Sequence, residues 1–285
     1  MEGESIVIRD LGELEGEVLV FGGPCSNLQA AQALLEEARA RAIAPARRIC
    51  TGDVAAYCAD PAATLALLRD ECLIVAGNCE RQLARGAAEC GCGFEAGTVC
   101  ERLSAGWYAH ALAALDDEAR RFMAGLPDMI TFRHAGRRHA VVHGGFPQIN
   151  RYIWPATPEG EFEAQFAAIE AVAGPVDVVI AGHCGIAFAR RIGARLWFNP
   201  GSIGLPPHDG RPQTRYGILG ADGARIERLS YDYAAAARAM RAAGLAQGYE
   251  RCLETGLWPS EDVLPDALRR QPRPFDASKI SPPEA

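Results

Sequence analysis

The chain has 285 residues, 49% of them hydrophobic, enough to bury the core of one large domain or two small ones. Its formal net charge of −7 argues against a broad nucleic-acid surface, because phosphate-backbone binding rests on clustered Lys and Arg; a small molecule is the expected partner. The N-terminal stretch lacks a basic region followed by an apolar segment, and no apolar run approaches ~18 residues, so a membrane or secretory route is not expected.

From Glu17 the chain alternates short apolar runs with Ala/Leu/Glu/Arg-rich stretches of helical period, the pattern of an α/β domain. The predicted strands are VLVF (18–21), the segment around Ile49, LIVA (73–76), HAVV (139–142), VDVVIA (176–181), RLWF (195–198) and a last one around 226–230. Six of them end in Gly plus a polar residue or a close equivalent: GGPCSN, GD, GNCE, HGG, GHCG and NPGS. Any one such pair is ordinary turn chemistry. In open α/β sheets, however, ligands collect at the carboxyl ends of strands, and six such ends suggest one shared site. Asp53, Asn78, His143 and His183 would supply it with a carboxylate, an amide oxygen and two imidazoles, a set suited to Zn, Mn or Fe. For either histidine alone, a hydrogen-bonded, partly buried side chain is the plainer reading.

The order GD, GN, HG, GH, NPGS resembles the calcineurin-like metallophosphoesterases, in particular small bacterial phosphodiesterases and diadenosine tetraphosphatase-like proteins, over about residues 17–232. The resemblance implies a four-layer αββα sandwich of two mixed β-sheets. It also implies two metals bridged by Asp53, one of them completed by Asn78, His143 and His183. The family's D-x-H-G-N block reads Gly23, Pro24, Cys25, Ser26, Asn27 here, and the second histidine of G-H-x-H is Gly185. Two of the three private ligands of the other metal are therefore glycines, and Cys25 is the one side chain there that could still coordinate. One retained ion is expected, and the second site reads as dismantled. The family's G-N-H histidine, implied to act on the substrate or leaving group, is Cys79; Asn27, Asn78 and Arg81 are the expected substrate contacts, with Asp53, His143 and Cys79 the expected catalytic set.

Ten cysteines without a leader read as thiols in a reducing cytosol, and a cytoplasmic protein is expected. The insertion at about 84–115 carries Cys90, Cys92 and Cys100 among glycines. Its C-x-C spacing does not match a closed zinc site; plain packing, or a loop that brings one thiol near Cys79, are the other readings. Ser104 is the expected N-cap of a helix anchored by Trp107 and Tyr108, and Glu80 and Arg81 are expected to cap or pair locally. Residues 233–270 read as a helical extension, with Gly244 ending its first helix, and the Pro-containing stretch 271–285 as a disordered tail. The first functional reading is a metal-dependent phosphoesterase acting on a phosphomonoester or a nucleotide-type phosphodiester. The alternatives are a catalytically silent relative that binds a phosphorylated ligand or a partner protein, and a thiolate-containing metal or redox-sensing site.

Overall fold

In the computed structural model, which describes residues 6–270, the first strand is one that the apolar pattern does not announce. Strand β1 (Ile8–Glu13) is exposed except for the half-buried Ile8 and Leu11 and pairs in parallel with a later strand, so the sheet begins upstream of residue 17. It is followed by β2 (Val18–Phe21), α1 (Leu28–Ala40), β3 (Arg48–Cys50), α2 (Pro61–Arg69), β4 (Leu73–Ile74) and α3 (Asn78–Arg85). Then come α4 (Val99–Ala114), α5 (Asp117–Ala124), β5 (Met129–His134), β6 (Arg137–Val142), α6 (Glu159–Ala173) and β7 (Val178–Ala181). The remainder is β8 (Phe188–Ile192), β9 (Arg195–Asn199), β10 (Thr214–Gly220), β11 (Gly223–Leu229), α7 (Tyr233–Ala242) and α8 (Tyr249–Thr255).

These strands form two mixed sheets, β1-β5-β6-β7-β9-β8 and β11-β10-β2-β3-β4. The continuous apolar runs reflect strands buried on both faces. In β2, Val18 and Val20 point between the sheets, while Leu19 and Phe21 point to the helices outside. In β7, Val178 and Ile180 lie between the sheets, and Val179 and Ala181 pack on the α6 side. Residues α1, α2 and α4 cover the five-stranded sheet and α6 covers the other, which completes the αββα sandwich.

Helix α1 buries Ala30, Ala31, Leu34, Leu35 and Ala38, one face at helical spacing, and α6 buries Phe162, Phe166 and Ile169 in the same way. The LIVA run yields only two paired residues, because the Ala76 N–H turns away to the Pro127 carbonyl. Helix α4 starts earlier than expected: Thr98 is its N-cap, and Ser104 sits inside it, donating to the Glu101 carbonyl. Trp107 and Tyr108 are buried. Helices α7 and α8 follow the last strand, with Ala243 capping α7 and Gly244 next to it in the left-handed region. No helix of the described residues is long and apolar enough to cross a membrane, and the tail expected at 271–285 lies outside those residues.

Candidate metal centre

The loops after β3, β4, β6 and β7 meet where the carboxyl ends of the two sheets converge. Asp53 follows β3 in the left-handed region at φ 55°, and His183 follows β7 at φ 63°. Such conformations cost energy for non-glycine residues and persist when neighbours over-determine them. Glu80, fully buried, does this for Asp53: its Oε2 accepts from the backbone N–H groups of Asp53 (2.8 Å) and Gly77 (2.9 Å), and its Oε1 from Val54 (2.8 Å) and Ala55 (3.3 Å). Burial and the nearby Asp53 raise the Glu80 pKa, yet four N–H donors suit only its ionised form. For His183, Asn199 of the NPGS segment donates to the Gly182 carbonyl (2.9 Å) and accepts from Gly201 N–H (2.8 Å).

The glycines of the GD and GN pairs are required by close approach. A Cβ on Gly52 would come within 2.6 Å of the Gly77 nitrogen and 2.8 Å of His143 Nδ1, and one on Gly77 within 2.5 Å of Asp53 Oδ1.

His143 Nδ1 lies 2.6 Å from the Thr51 carbonyl oxygen. A carbonyl can only accept, so Nδ1 carries the proton and Nε2 presents a bare lone pair in the neutral ring. That lone pair is 3.0 Å from Asn78 Oδ1, 3.0 Å from His183 Nδ1 and 3.3 Å from Asp53 Oδ2; His183 Nδ1 is 3.9 Å from the same carboxylate oxygen. Asn78 turns its oxygen inward because its Nδ2 donates to the Cys90 carbonyl (3.0 Å) and the Cys92 sulfur (3.3 Å). The ligand atoms of Asp53, His143 and His183 lie within 4.8 Å of one another, the one such His/Cys/Asp/Glu cluster among the described residues. Four lone-pair donors facing one point satisfy a divalent cation; one proton at Nε2 serves a single contact. The residues fit the metal that the sequence suggests.

For Asp53 and His183 the electrostatics agree, whereas without an ion the Asp53 carboxylate favours a proton on His143. Burial opposes ionisation of Asp53, but His143 and His183 outweigh it and hold the carboxyl well below the usual carboxylate range. Burial works against the His143 cation too, and the Asp53 carboxylate overrides it, raising the pKa; in His183 burial prevails and the pKa falls.

The neighbouring half of the site is filled differently. A Cβ on Gly23 would meet Ser202 Oγ at 2.9 Å and Cys25 Sγ at 3.1 Å, so the space for a carboxylate is taken. Ser202 Oγ donates to the Gly23 carbonyl (2.8 Å) and accepts from Leu205 N–H (3.1 Å). A Cβ on Gly185 would lie 3.5 Å from the Trp258 ring, an ordinary contact distance, so the indole stands beside the position without filling it. Cys25 is buried, 4.0 Å from Ser202 Oγ, and burial pushes its thiol pKa well up.

The other expected residues are committed to structural contacts. Asn27 caps α1 through Ala30 N–H (3.1 Å) and donates to the Gly204 carbonyl (2.9 Å). Arg81 pairs with Asp128 (2.6 Å) and donates to the Leu126 carbonyl (2.9 Å). Cys79 is fully buried; its thiol hydrogen-bonds with Cys92, which lowers its pKa, but burial and Asp53 leave the net shift upward. The insertion thus leans over the site and brings Cys92 to Cys79, while Cys90, Cys92 and Cys100 form no three-sulfur cluster with metal-ligand spacing among the described residues. Glu80 caps locally as expected, through Gly77 N–H, but its hold on the Asp53 loop, together with Thr51 and the aromatic residues around Gly185, is what sequence reasoning missed. A carboxylate three residues after Gly77, at capping-box spacing, was the available signal for Glu80.

A two-sheet sandwich with clustered Asp, Asn and His at its carboxyl ends defines a metallophosphoesterase-type protein, and the sequence matches the calcineurin-like phosphoesterase superfamily domain over residues 25–223. The chain belongs to that superfamily, whose members imply divalent-metal use. It is 26% identical over 227 residues to an uncharacterized protein of Methanocaldococcus jannaschii, covering 73% of this chain and 84% of that one. In fold it is similar to a metallophosphoesterase from Sphaerobacter thermophilus (TM-score 0.66, 21% identity, covering 86% of this chain and 100% of the other). A hypothetical protein from Pyrococcus horikoshii is similar as well (TM-score 0.68, 15% identity, covering 84% and 98%).

Proposed function

We propose that this protein hydrolyses a small phosphorylated molecule, a phosphomonoester or a phosphodiester, with one divalent transition metal, Zn, Mn or Fe, held by Asp53, Asn78, His143 and His183. The observation that carries the reading is His143 Nε2, the lone-pair nitrogen of the neutral ring because Nδ1–H donates to the Thr51 carbonyl, faced by three further lone-pair donors. A bound divalent ion supplies polarisation of a phosphoryl oxygen and a lowered pKa for water. The chain's own residues hold the geometry: Thr51 fixes the His143 tautomer, Asn78 is oriented by Cys90 and Cys92, and Glu80 holds the Asp53 loop. With Cys79 turned into a thiol contact, no imidazole stands at that position to protonate a leaving group, so esters of acidic alcohols are the favoured substrates.

A second reading, a silent relative that binds a phosphorylated ligand, is favoured by one observation: Ser202 Oγ and Cys25 Sγ take the space that a side chain at Gly23 would need. Metal analysis of protein purified without chelators, together with hydrolysis of bis-p-nitrophenyl phosphate, tests both. One ion per chain with turnover supports the hydrolase, one ion without turnover supports the silent relative, and no ion overturns the metal centre.

A further inference from the structure

Beside Asp53 and His183, where Gly23 and Gly185 have vacated the family's second ligand set, lies a cavity of ≈ 70 Å³. Its walls come from distant parts of the chain: Tyr57 after β3, Phe94 of the insertion, Tyr152 after β6, Tyr249 of α8 and Trp258 beyond it. Tyr152 lies against the His183 ring, with centroids 4.2 Å apart, and Tyr57 packs edge-on to Tyr249 at 4.8 Å. Among the described residues no Lys or Arg lines the cavity, and Asp53 and His183 are its only charged or imidazole groups. Burial keeps the Tyr57 and Tyr249 hydroxyls protonated, so the wall offers aromatic faces and neutral donors.

Resting on the single-metal reading above, we infer that the substrate is a monoanionic phosphodiester whose second ester arm is a compact apolar or aromatic group seated in this cavity. A divalent ion set against the Asp53 carboxylate and the ionised Glu80 behind it leaves no excess positive charge at the site, which tolerates a diester monoanion better than a monoester dianion. An extra negative charge would face aromatic rings without a cation, and a charged group desolvated without a partner is strongly disfavoured. The apolar arm gains instead, since burying it removes apolar surface from water against flat rings.

Calorimetric titration of the metal-loaded protein with diphenyl phosphate and with phenyl phosphate separates the two charge states without requiring turnover. Diphenyl phosphate should bind at least about tenfold more tightly. Trp258→Ala, which removes a wall, and Ser260→Phe, which narrows the cavity, should each weaken diphenyl phosphate binding at least about tenfold while metal content and inorganic phosphate binding stay unchanged. Equal or tighter binding of phenyl phosphate to the wild type overturns the inference, as does diphenyl phosphate binding that survives both substitutions. If the preference holds but bis-p-nitrophenyl phosphate is not turned over, the hydrolase reading falls and the pocket stands.

Discussion

Replacing Glu80 by Gln tests whether the Asp53 loop is held as described. Each carboxylate oxygen accepts two backbone N–H groups: Val54 and Ala55 on one, Asp53 and Gly77 on the other. Gln keeps one acceptor oxygen and puts an amide NH₂ opposite two N–H donors, so two hydrogen bonds are lost whichever way the amide is oriented. Hydrogen bonds to a charged group are worth about 1.5–3 kcal/mol each, and a buried donor left unpaired costs about 1–3 kcal/mol. A loss of roughly 3 kcal/mol or more follows, a large share of the ~5–15 kcal/mol that holds typical folded proteins together. Urea unfolding monitored by tryptophan fluorescence would read it, with metal content measured on the same preparations, because Asp53 is the ligand whose backbone is released. A destabilisation below about 1 kcal/mol with the metal retained would refute the reasoning, since the observed contacts would then carry little of the energy that their burial demands.

Asp53→Ala should abolish both metal binding and turnover, whereas Cys92→Ser should keep both, because Asn78 Nδ2 retains the Cys90 carbonyl; equal losses, by metal analysis and phosphodiester hydrolysis, would show that a sulfur has been misplaced. Titration of the apo-protein with Zn²⁺ or Mn²⁺ should give one tight ion per chain, since Gly23 and Gly185 offer no side-chain donor and Ser202 stands where a side chain at Gly23 would go; two equivalent tight sites would contradict this. His139, stacked on Phe132, is depressed by burial from the ordinary 6.5 to about 4. Its folded pKa lies below its unfolded one, so the unfolded chain takes up the proton first, and stability is lost as pH falls from about 6.5 to about 4, by roughly 3 kcal/mol in all. His139→Phe should flatten that acid limb in pH-dependent thermal unfolding, and an unchanged limb would remove His139 as its cause.

The central strands were legible because burial on both faces writes them as unbroken apolar runs, as in Val18–Phe21 and Val178–Ala181. Strands β1, β5, β8 and β10 were not, although the edge strands β4 and β11 were. Strand β1 carries Arg9, Asp10 and Glu13 on an exposed edge, and β8 holds the adjacent arginines Arg190 and Arg191. In β5 and β6 the turn falls at Ala135–Gly136, both at positive φ, a pair that is a weaker hairpin signal than Asn-Gly. The GD, GN, HG and GH pairs marked the loops that bring Asp53, Asn78, His143 and His183 together, because close backbone approach there admits only glycine. The aromatic wall could not be read, since Tyr57, Tyr152, Tyr249 and Trp258 lie far apart in the chain and share no spacing that would link them.

Trp258 at the edge of the metal centre also bears on how the site comes into being during synthesis. Asp53, Asn78, His143 and His183 all lie in the first two-thirds of the chain, and the strands that carry them can pair before the C-terminal segment exists. The indole beside Gly185 arrives later, fixed by its Nε1–H to the Pro206 carbonyl (2.8 Å) and by its backbone N–H to His208 Nδ1 (2.8 Å). The metal half is thus available to a nascent chain well before the cavity beside it acquires its last wall, and an ion bound early would meet an open, water-filled flank that the finished protein closes.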